Sequence, residues 1–159
     1  MQNGHNPRPV APLQWNLRTA LSADATWIAE LRAVVMRPDL ERLGRWHPVR
    51  VRQRFLDGFY PESSFVIEVG GKPVGVIAVR PEPDAQWIEH FYLAPEVQGR
   101  GLGGQVLQHV MVLRADARPF RINVLQGSAA RRLYERAGFV YESEDPIDVY
   151  LVAPSAVAL

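Results

Sequence analysis

The sequence predicts an α/β domain of the α+β type: a central mixed, mostly antiparallel sheet of six to seven strands with helices on both faces. Three observations carry this. Apolar segments between residues 64 and 93 follow one another with only tight turns between them, the pattern of an antiparallel run. From residue 101 onward helical and strand periodicities alternate, the pattern of helices that cover a sheet. The length, 159 residues, suits one domain, because a chain of that size buries about 68–70% of its unfolded surface. No repeat or internal linker divides it. Residues 1–12 (MQNGHNPRPVAP), Pro-rich and without hydrophobic period, read as a flexible tail, and residues 13–159 as the domain.

The first strand spans Gln14 to Ala20, where Trp15, Leu17 and Thr19 alternate with polar residues. Ser22 is placed to cap the following helix, with Asp24 in its first turn. Ile28, Leu31, Val34 and Val35 give that helix an apolar face, and Pro38 is expected to end it. An irregular charged stretch, Asp39 to Trp46, leads to a second helix over Pro48–Phe59, with Val51, Phe55 and Phe59 at four-residue spacing. Strands Ser64–Val69 and Pro73–Val79 flank Gly70-Gly71, a two-residue hairpin signal. After a turn at Pro81 to Asp84, Gln86–Leu93 is the fourth strand. A loop at Ala94 to Arg100 opens a helix over about Gly101 to Asp116, whose residues Leu102, Val106, Leu107, Val110 and Leu113 have helical spacing. Phe120–Leu125 is a strand, Ser128–Ala137 a helix stopped by Gly138, and Phe139–Glu142 and Ile147–Val152 are the last strands.

Composition excludes several chemistries. There is no cysteine, so disulfides, Cys-ligated zinc, iron–sulfur clusters and thiol nucleophiles are ruled out. His5 and His109 lack ligand-spaced partners, and no metal is expected. A net charge of +1 argues against a general nucleic-acid binder. No apolar run approaches the ~18–20 residues of a membrane span, and no signal-peptide pattern opens the chain, so a cytoplasmic protein is expected. Among the 18 basic residues only Lys72 is a lysine. That bias is largely compositional, yet arginine binds planar anions in a fork that lysine cannot reproduce.

The most informative segment is Gln98-Gly99-Arg100-Gly101-Leu102-Gly103-Gly104. It leaves a strand and opens a helix, so several unpaired N–H groups point one way and the helix dipole favours an anion. Arg100 adds a charge-assisted contact, and a pyrophosphate is the natural guest. Gly103-Gly104-Gln105 lacks the Lys-Ser/Thr that ends a Walker loop. The spacing Gly99-x-Gly101-x-x-Gly104 satisfies the dinucleotide letters, but follows antiparallel strands rather than a first βαβ unit.

Gln98-x-x-Gly101-x-Gly103 resembles the pyrophosphate loop of the GNAT superfamily of N-acetyltransferases. Phe91-Tyr92-Leu93-Ala94-Pro95 is similar to that family's fourth strand and turn. Ala130-Arg131-Arg132-Leu133-Tyr134-Glu135-Arg136-Ala137-Gly138-Phe139 resembles its second signature. The resemblance spans about residues 14–152. It implies a V-shaped splay between the fourth and fifth strands, with acetyl-CoA bound there and CoA as product. Gln98, Gly99, Arg100, Gly101, Leu102, Gly103 and Gly104 would take the pyrophosphate, and backbone at Tyr92 and Leu93 the pantetheine arm. Where the family commonly has Asn before the second signature, this chain has Gly127; Ser128 next to it can cap the helix, and Asn123 can add a contact.

The implied chemistry is attack of a primary amine on a thioester by direct transfer in a ternary complex. A free alkylamine has a pKa near ~10, so a base must take its proton. The resemblance puts Tyr134 beside the sulfur as acid; packing under the loop is its other role. Glu89 and His90, expected on opposite strand faces, are both retained as the base, and a bulge near Tyr92 would shift those faces. The acceptor, a small-molecule or peptide amine, is expected between the first two helices and the last two strands. Glu142, Glu144, Asp145 and Asp148 there would attract a cation, whereas Arg37, Arg42 and Arg50 would hold a carboxylate. A non-catalytic acyl-CoA-binding or sensor module is the alternative function. A monomer or a homodimer is expected.

Overall fold

The computed structural model describes residues 12–155, so the expected tail lies outside the described residues except for Pro12. Seven strands form one sheet in the order β1-β2-β3-β4-β5-β7-β6: β1 (Trp15–Thr19), β2 (Ser64–Val69), β3 (Lys72–Pro81), β4 (Gln86–Leu93), β5 (Phe120–Leu125), β6 (Val140–Glu144) and β7 (Asp148–Ala153). All neighbours are antiparallel except β4 and β5. Helices α1 (Ala25–Arg42) and α2 (Pro48–Asp57) join β1 to β2; α3 (Leu102–Leu113) joins β4 to β5, and α4 (Ala130–Arg136) joins β5 to β6.

Side-chain alternation along the strands builds a core on each face of the sheet. On one face Leu102, Val106, Leu107 and Val110 of α3 pack against Ile67, Ile77, Val79, Ile88 and Ile122. On the other, Ile28 and Ala29 of α1 and Phe55 of α2 pack on Val76 and Tyr92. The β2–β3 hairpin closes through Gly70 and Gly71, both at positive φ (59° and 75°). A two-residue turn of this hand requires that geometry at both positions, which is why the pair is so strong a signal.

The start of α1 differs from expectation. Ser22 does not cap it. Residues Ser22–Asp24 form a 3₁₀ turn, and the Asp24 carboxylate accepts from the Leu21 N–H, the Trp27 indole and both terminal nitrogens of Arg18. A carboxylate can accept from one backbone amide and three side-chain donors at once, which one hydroxyl cannot. Arg18 beside it holds Asp24 well below the usual carboxylate range.

Pro38 does not end α1 either; the helix continues to Arg42. Proline removes the N–H that would bond the Val34 carbonyl. Val34 is exposed, so water reaches that turn. Ion pairs Arg37–Glu41 and Arg42–Asp39 hold the last turn together. Val34 therefore lies off the apolar face, which is built from Ile28, Ala29 and Ala33 with Leu31 and Val35 beside them.

Candidate functional site

Strands β4 and β5 pair only at Gln86↔Phe120 and Trp87↔Arg121. Beyond those two rungs they part, and the sheet opens into the predicted V. A cleft of about 310 Å³ lies there, walled by β4, β5, α1 and the start of α4.

At the rim of the V, Gln98 Nε2 donates to the Leu93 carbonyl at 2.8 Å, tying the loop to the end of β4. Gly99 and Gly101 are at φ 76° and 80°. Gly101 is the residue before α3, and its left-handed conformation turns the chain so that the amides of Leu102, Gly103 and Gly104 form an uncapped first turn. A Cβ on Gly99 or Gly101 would meet no protein atom within 4 Å, so the space beside this loop is open. Leu102 sends its side chain into the core and offers only its backbone. Gly103 lies against Leu133 and Leu93, and a Cβ there would press the ends of those side chains by a few tenths of an ångström. Arg100 is exposed on the loop. Free amides, a helix N-terminus and open space are what a pyrophosphate needs, so the loop fits that group.

The β3–β4 register shifts between Val76↔Tyr92 and Ala78↔Glu89. One extra β4 residue is accommodated there, and His90 takes φ 49°, the only non-glycine positive φ among the described residues. This bulge overturns the expectation that Glu89 and His90 face opposite ways. Glu89 pairs with Arg80 at 3.2 Å, and Arg80 shares its strand parity with Val76, which faces α1 and α2. His90 lies edge-on to Phe55 of α2 and within 3.2 Å of the Tyr92 hydroxyl. Both side chains thus stand on the α1–α2 side, while Phe91 turns to the other face and meets Tyr134. A bulge inserts one residue and so resets the two-residue alternation.

Tyr134 is buried, its ring set between Phe91 and Phe139. Its hydroxyl makes no hydrogen bond among the described residues, and the side chain walls the cleft. Burial pushes this phenol well above its ordinary pKa, with Tyr92 nearby adding to the effect. Burial likewise raises Tyr92, whose hydroxyl accepts from Arg32 at 2.8 Å. His90 is pushed down to about 4, first by burial and then by Arg32 and Arg80. It is neutral at pH 7.

Ser128 Oγ accepts from the Ala130 N–H at 3.2 Å, so it does serve the start of α4. Asn123 donates to Asp148 at 3.1 Å; both side chains wall the cleft. Arg37 and Arg42 are not free for a carboxylate. Arg37 pairs with Glu41 and covers Trp46; Arg42 pairs with Asp39 and donates to the Gln126 carbonyl, bridging the end of α1 to the β5–α4 loop. Glu142 pairs with Arg121, and Glu144 accepts from Gln126 and Tyr141; neither reaches a cleft wall. Arg32 was missed by sequence reasoning. The signal was present: it lies four residues after Ile28, an arginine on the buried face of α1.

A second cleft, of about 530 Å³, lies between the α1–α2 hairpin and the β6–β7 turn, where the acceptor was expected. It shares Arg32, Met36, Asn123, Leu125 and Asp148 with the first.

Comparison with known proteins agrees with this geometry. Residues 61–141, just over half of the chain, match the sequence model of the acetyltransferase (GNAT) domain. No curated protein matches by sequence. Among solved structures, the PaiA N-acetyltransferase from Thermoplasma acidophilum in complex with coenzyme A superposes with TM-score 0.71 at 14% identity, covering 89% of this chain and 99% of that one. An N-acetyltransferase from Staphylococcus aureus Mu50 gives 0.68 at 17% identity, covering 87% and 100%. The ribosomal-protein-S18-alanine N-acetyltransferase from Escherichia coli gives 0.67 at 17% identity, covering 91% and 96%. Identities this low speak for the fold. No helix among the described residues is long and apolar enough to cross a membrane.

Proposed function

The chain belongs to the GNAT acetyltransferase family, whose acyl donor is acetyl-CoA, and we propose that it is an N-acetyltransferase acting on a primary amine by direct transfer in a ternary complex. The observation that carries this reading is the Tyr134 hydroxyl, unbonded among the described residues and set at the cleft where β4 and β5 part. Acetyl-CoA supplies an acetyl thioester when bound. The chain's residues supply the rest.

The amides of Leu102, Gly103 and Gly104, with Gln98, Gly99 and Gly101 shaping the loop and Arg100 beside it, hold the pyrophosphate. The β4 backbone at Tyr92 and Leu93, left without a β5 partner, takes the pantetheine arm as a strand would. Asn123 and Ser128 border the other wall. Tyr134 keeps its proton at neutral pH, because burial raises its pKa, and it delivers a hydrogen bond to the leaving sulfur. On the acceptor side, Glu89 is the proton's destination, reached through solvent in the cleft. His90, held neutral, positions the Tyr92 hydroxyl and need not charge. The absence of cysteine removes an acyl-cysteine route, which supports direct transfer.

The test is thiol release from acetyl-CoA across a panel of amines. Tyr134→Phe is expected to lower kcat about 100-fold, within the range of one lost proton donor, and to change the Kd for acetyl-CoA less than about threefold. If acetyl-CoA binds and no amine releases thiol, a non-catalytic acyl-CoA-binding module replaces this reading. If neither acetyl-CoA nor CoA raises the melting temperature, both fall.

A further inference from the structure

The α1–α2 hairpin and its connecting loop carry seven arginines, and they sort into two sets. Arg37, Arg42 and Arg52 are each ion-paired within the described residues, to Glu41, Asp39 and Glu30. Arg32, Arg45, Arg50 and Arg54 have no carboxylate partner among the described residues, and all four wall the 530 Å³ cleft. Pairing and position are independent observations, and they divide the set identically.

Two features make this arrangement costly without a guest. Arg50 and Arg54 are four apart on α2, so like charges stand one above the other, which disfavours a helix. Arg32 has its Nε buried and without a hydrogen-bond partner, the one such side-chain atom among the described residues. That nitrogen is left unsatisfied where water does not reach it, a cost the fold bears at this wall. The two carboxylates on the opposite wall, Asp145 and Asp148, balance only two of these four positive charges, and both already hold hydrogen bonds, Asp145 from the Ile147 and Asp148 amides and the Tyr150 hydroxyl, Asp148 from Asn123.

We propose that this cleft holds an oxyanion of the acceptor, so that the substrate is a small amine that also carries a carboxylate or phosphate. This rests on the acetyltransferase reading above. Arg50 and Arg54 hold the anion from α2, and Arg45 holds it from the loop. Arg32 lines both clefts and bonds the Tyr92 hydroxyl, so it stands where the anionic end of the acceptor gives way to the reacting end. Arginine's fork suits either oxyanion. A cleft of this volume admits a guest of amino-acid size. Asp148, on the shared wall, faces the amine.

The experiment measures kcat/KM with acetyl-CoA for three sets of amines: the proteinogenic amino acids, aminoalkyl phosphates, and the amine that each amino acid leaves on decarboxylation. The expected result is a preference of at least tenfold for an anionic member over its uncharged-end counterpart. The carboxylate and phosphate sets show which oxyanion is read. In the Arg50→Ala/Arg54→Ala double variant that ratio is expected to collapse to within about threefold, while Arg52→Ala, altering an arginine committed to Glu30, leaves the ratio as it was. All three sites are on the surface of α2, and circular dichroism verifies folding. Equal or better turnover of amines without an anion overturns the inference and leaves acetyl transfer standing, as does a ratio that survives the double variant. If no amine is turned over, acetyl transfer fails instead. The inference is then read from NMR titration of the same acids: binding that weakens at least tenfold in the double variant upholds it, and no binding overturns it.

Discussion

The two walls of the site are built from different materials. On the α3 side the place proposed for the donor is made of backbone: free amides, two residues at positive φ and a β4 edge that β5 leaves after two rungs. On the α1–α2 side the place proposed for the acceptor is made of side chains: four arginines, His90, Glu89 and Asp148. A pyrophosphate is the same group in every reaction, so one backbone shape serves it. An acceptor varies, and side chains can be exchanged without moving the chain. The first wall should therefore resist any change that alters φ, and the second should tolerate truncation while changing what it binds.

The sharpest attempt to break this contrast is Gly101→Val. At φ 80° a β-branched residue is strongly disfavoured whatever the space around it, at about 1–2 kcal/mol for an ordinary side chain and more for valine. The loop relieves that strain by moving its amides. The expected outcome is acetyl-CoA binding weakened about 100-fold, equivalent to about 2.7 kcal/mol, read by titration calorimetry, in a protein whose circular dichroism is unchanged. An affinity within threefold of the parent would mean that the loop's backbone is not what recognises the donor.

A smaller effect probes the other wall. His90 has its pKa depressed to about 4 from 6.5. The unfolded chain therefore binds a proton that the folded one refuses, and stability falls as pH drops from 6.5 towards 4; above 6.5 the group contributes no pH dependence. About 2–3 kcal/mol is at stake by pH 4, since one unit is 1.36 kcal/mol. His90→Gln is expected to flatten the urea-denaturation profile between pH 6.5 and 4. Arg32, Arg80 and Glu89 also face this wall, so the comparison is made against Glu89→Gln. If the parent's stability does not fall with acid across this window, or the His90 variant keeps the fall, the ring is not shut away between Phe55 and Tyr92.

These differences also explain what could be read from the letters. A backbone cradle leaves a mark in sequence because glycine takes its dihedrals most readily, and Gln98 to Gly104 were visible for that reason; the Tyr134 segment was visible through its resemblance to a family signature. The succession of strands and helices along the chain followed from periodicity and from Gly70-Gly71, whereas the exchange of β6 and β7 in the sheet did not. A bulge near Tyr92 could be entertained from the sequence, but its exact place was not legible. It rests on one histidine at φ 49°, and nothing in Ile88-Glu89-His90-Phe91 marks an extra residue; only pairing with β3 does. The arginines proposed to hold the acceptor were partly legible: Arg50 stands out in the sequence, while Arg37 and Arg42 are engaged elsewhere. Their four-residue spacing puts Arg50 and Arg54 on one face of α2, yet which face meets the cleft depends on β6 and β7, more than 80 residues away.

The smallest effect concerns Pro38, where local propensity lost to tertiary packing. Helix α1 runs through it to Arg42 because the residues on either side are held: Ile28, Ala29 and Ala33 in the core, and the last turn by its ion pairs and by Arg42 reaching the Gln126 carbonyl. Proline in a helix interior costs ~3 kcal/mol relative to alanine. Here the cost is smaller, because the deprived Val34 carbonyl is on an exposed turn and proline also restricts the unfolded chain. Pro38→Ala is expected to stabilise the protein by about 1 kcal/mol, seen as a higher urea midpoint at constant slope. Since α1 belongs to the acceptor wall, acetyl-CoA affinity should not move. A stabilised variant with altered donor affinity would show that α1 and the glycine loop are mechanically linked across the sheet, and the division between a backbone wall and a side-chain wall would then be too simple.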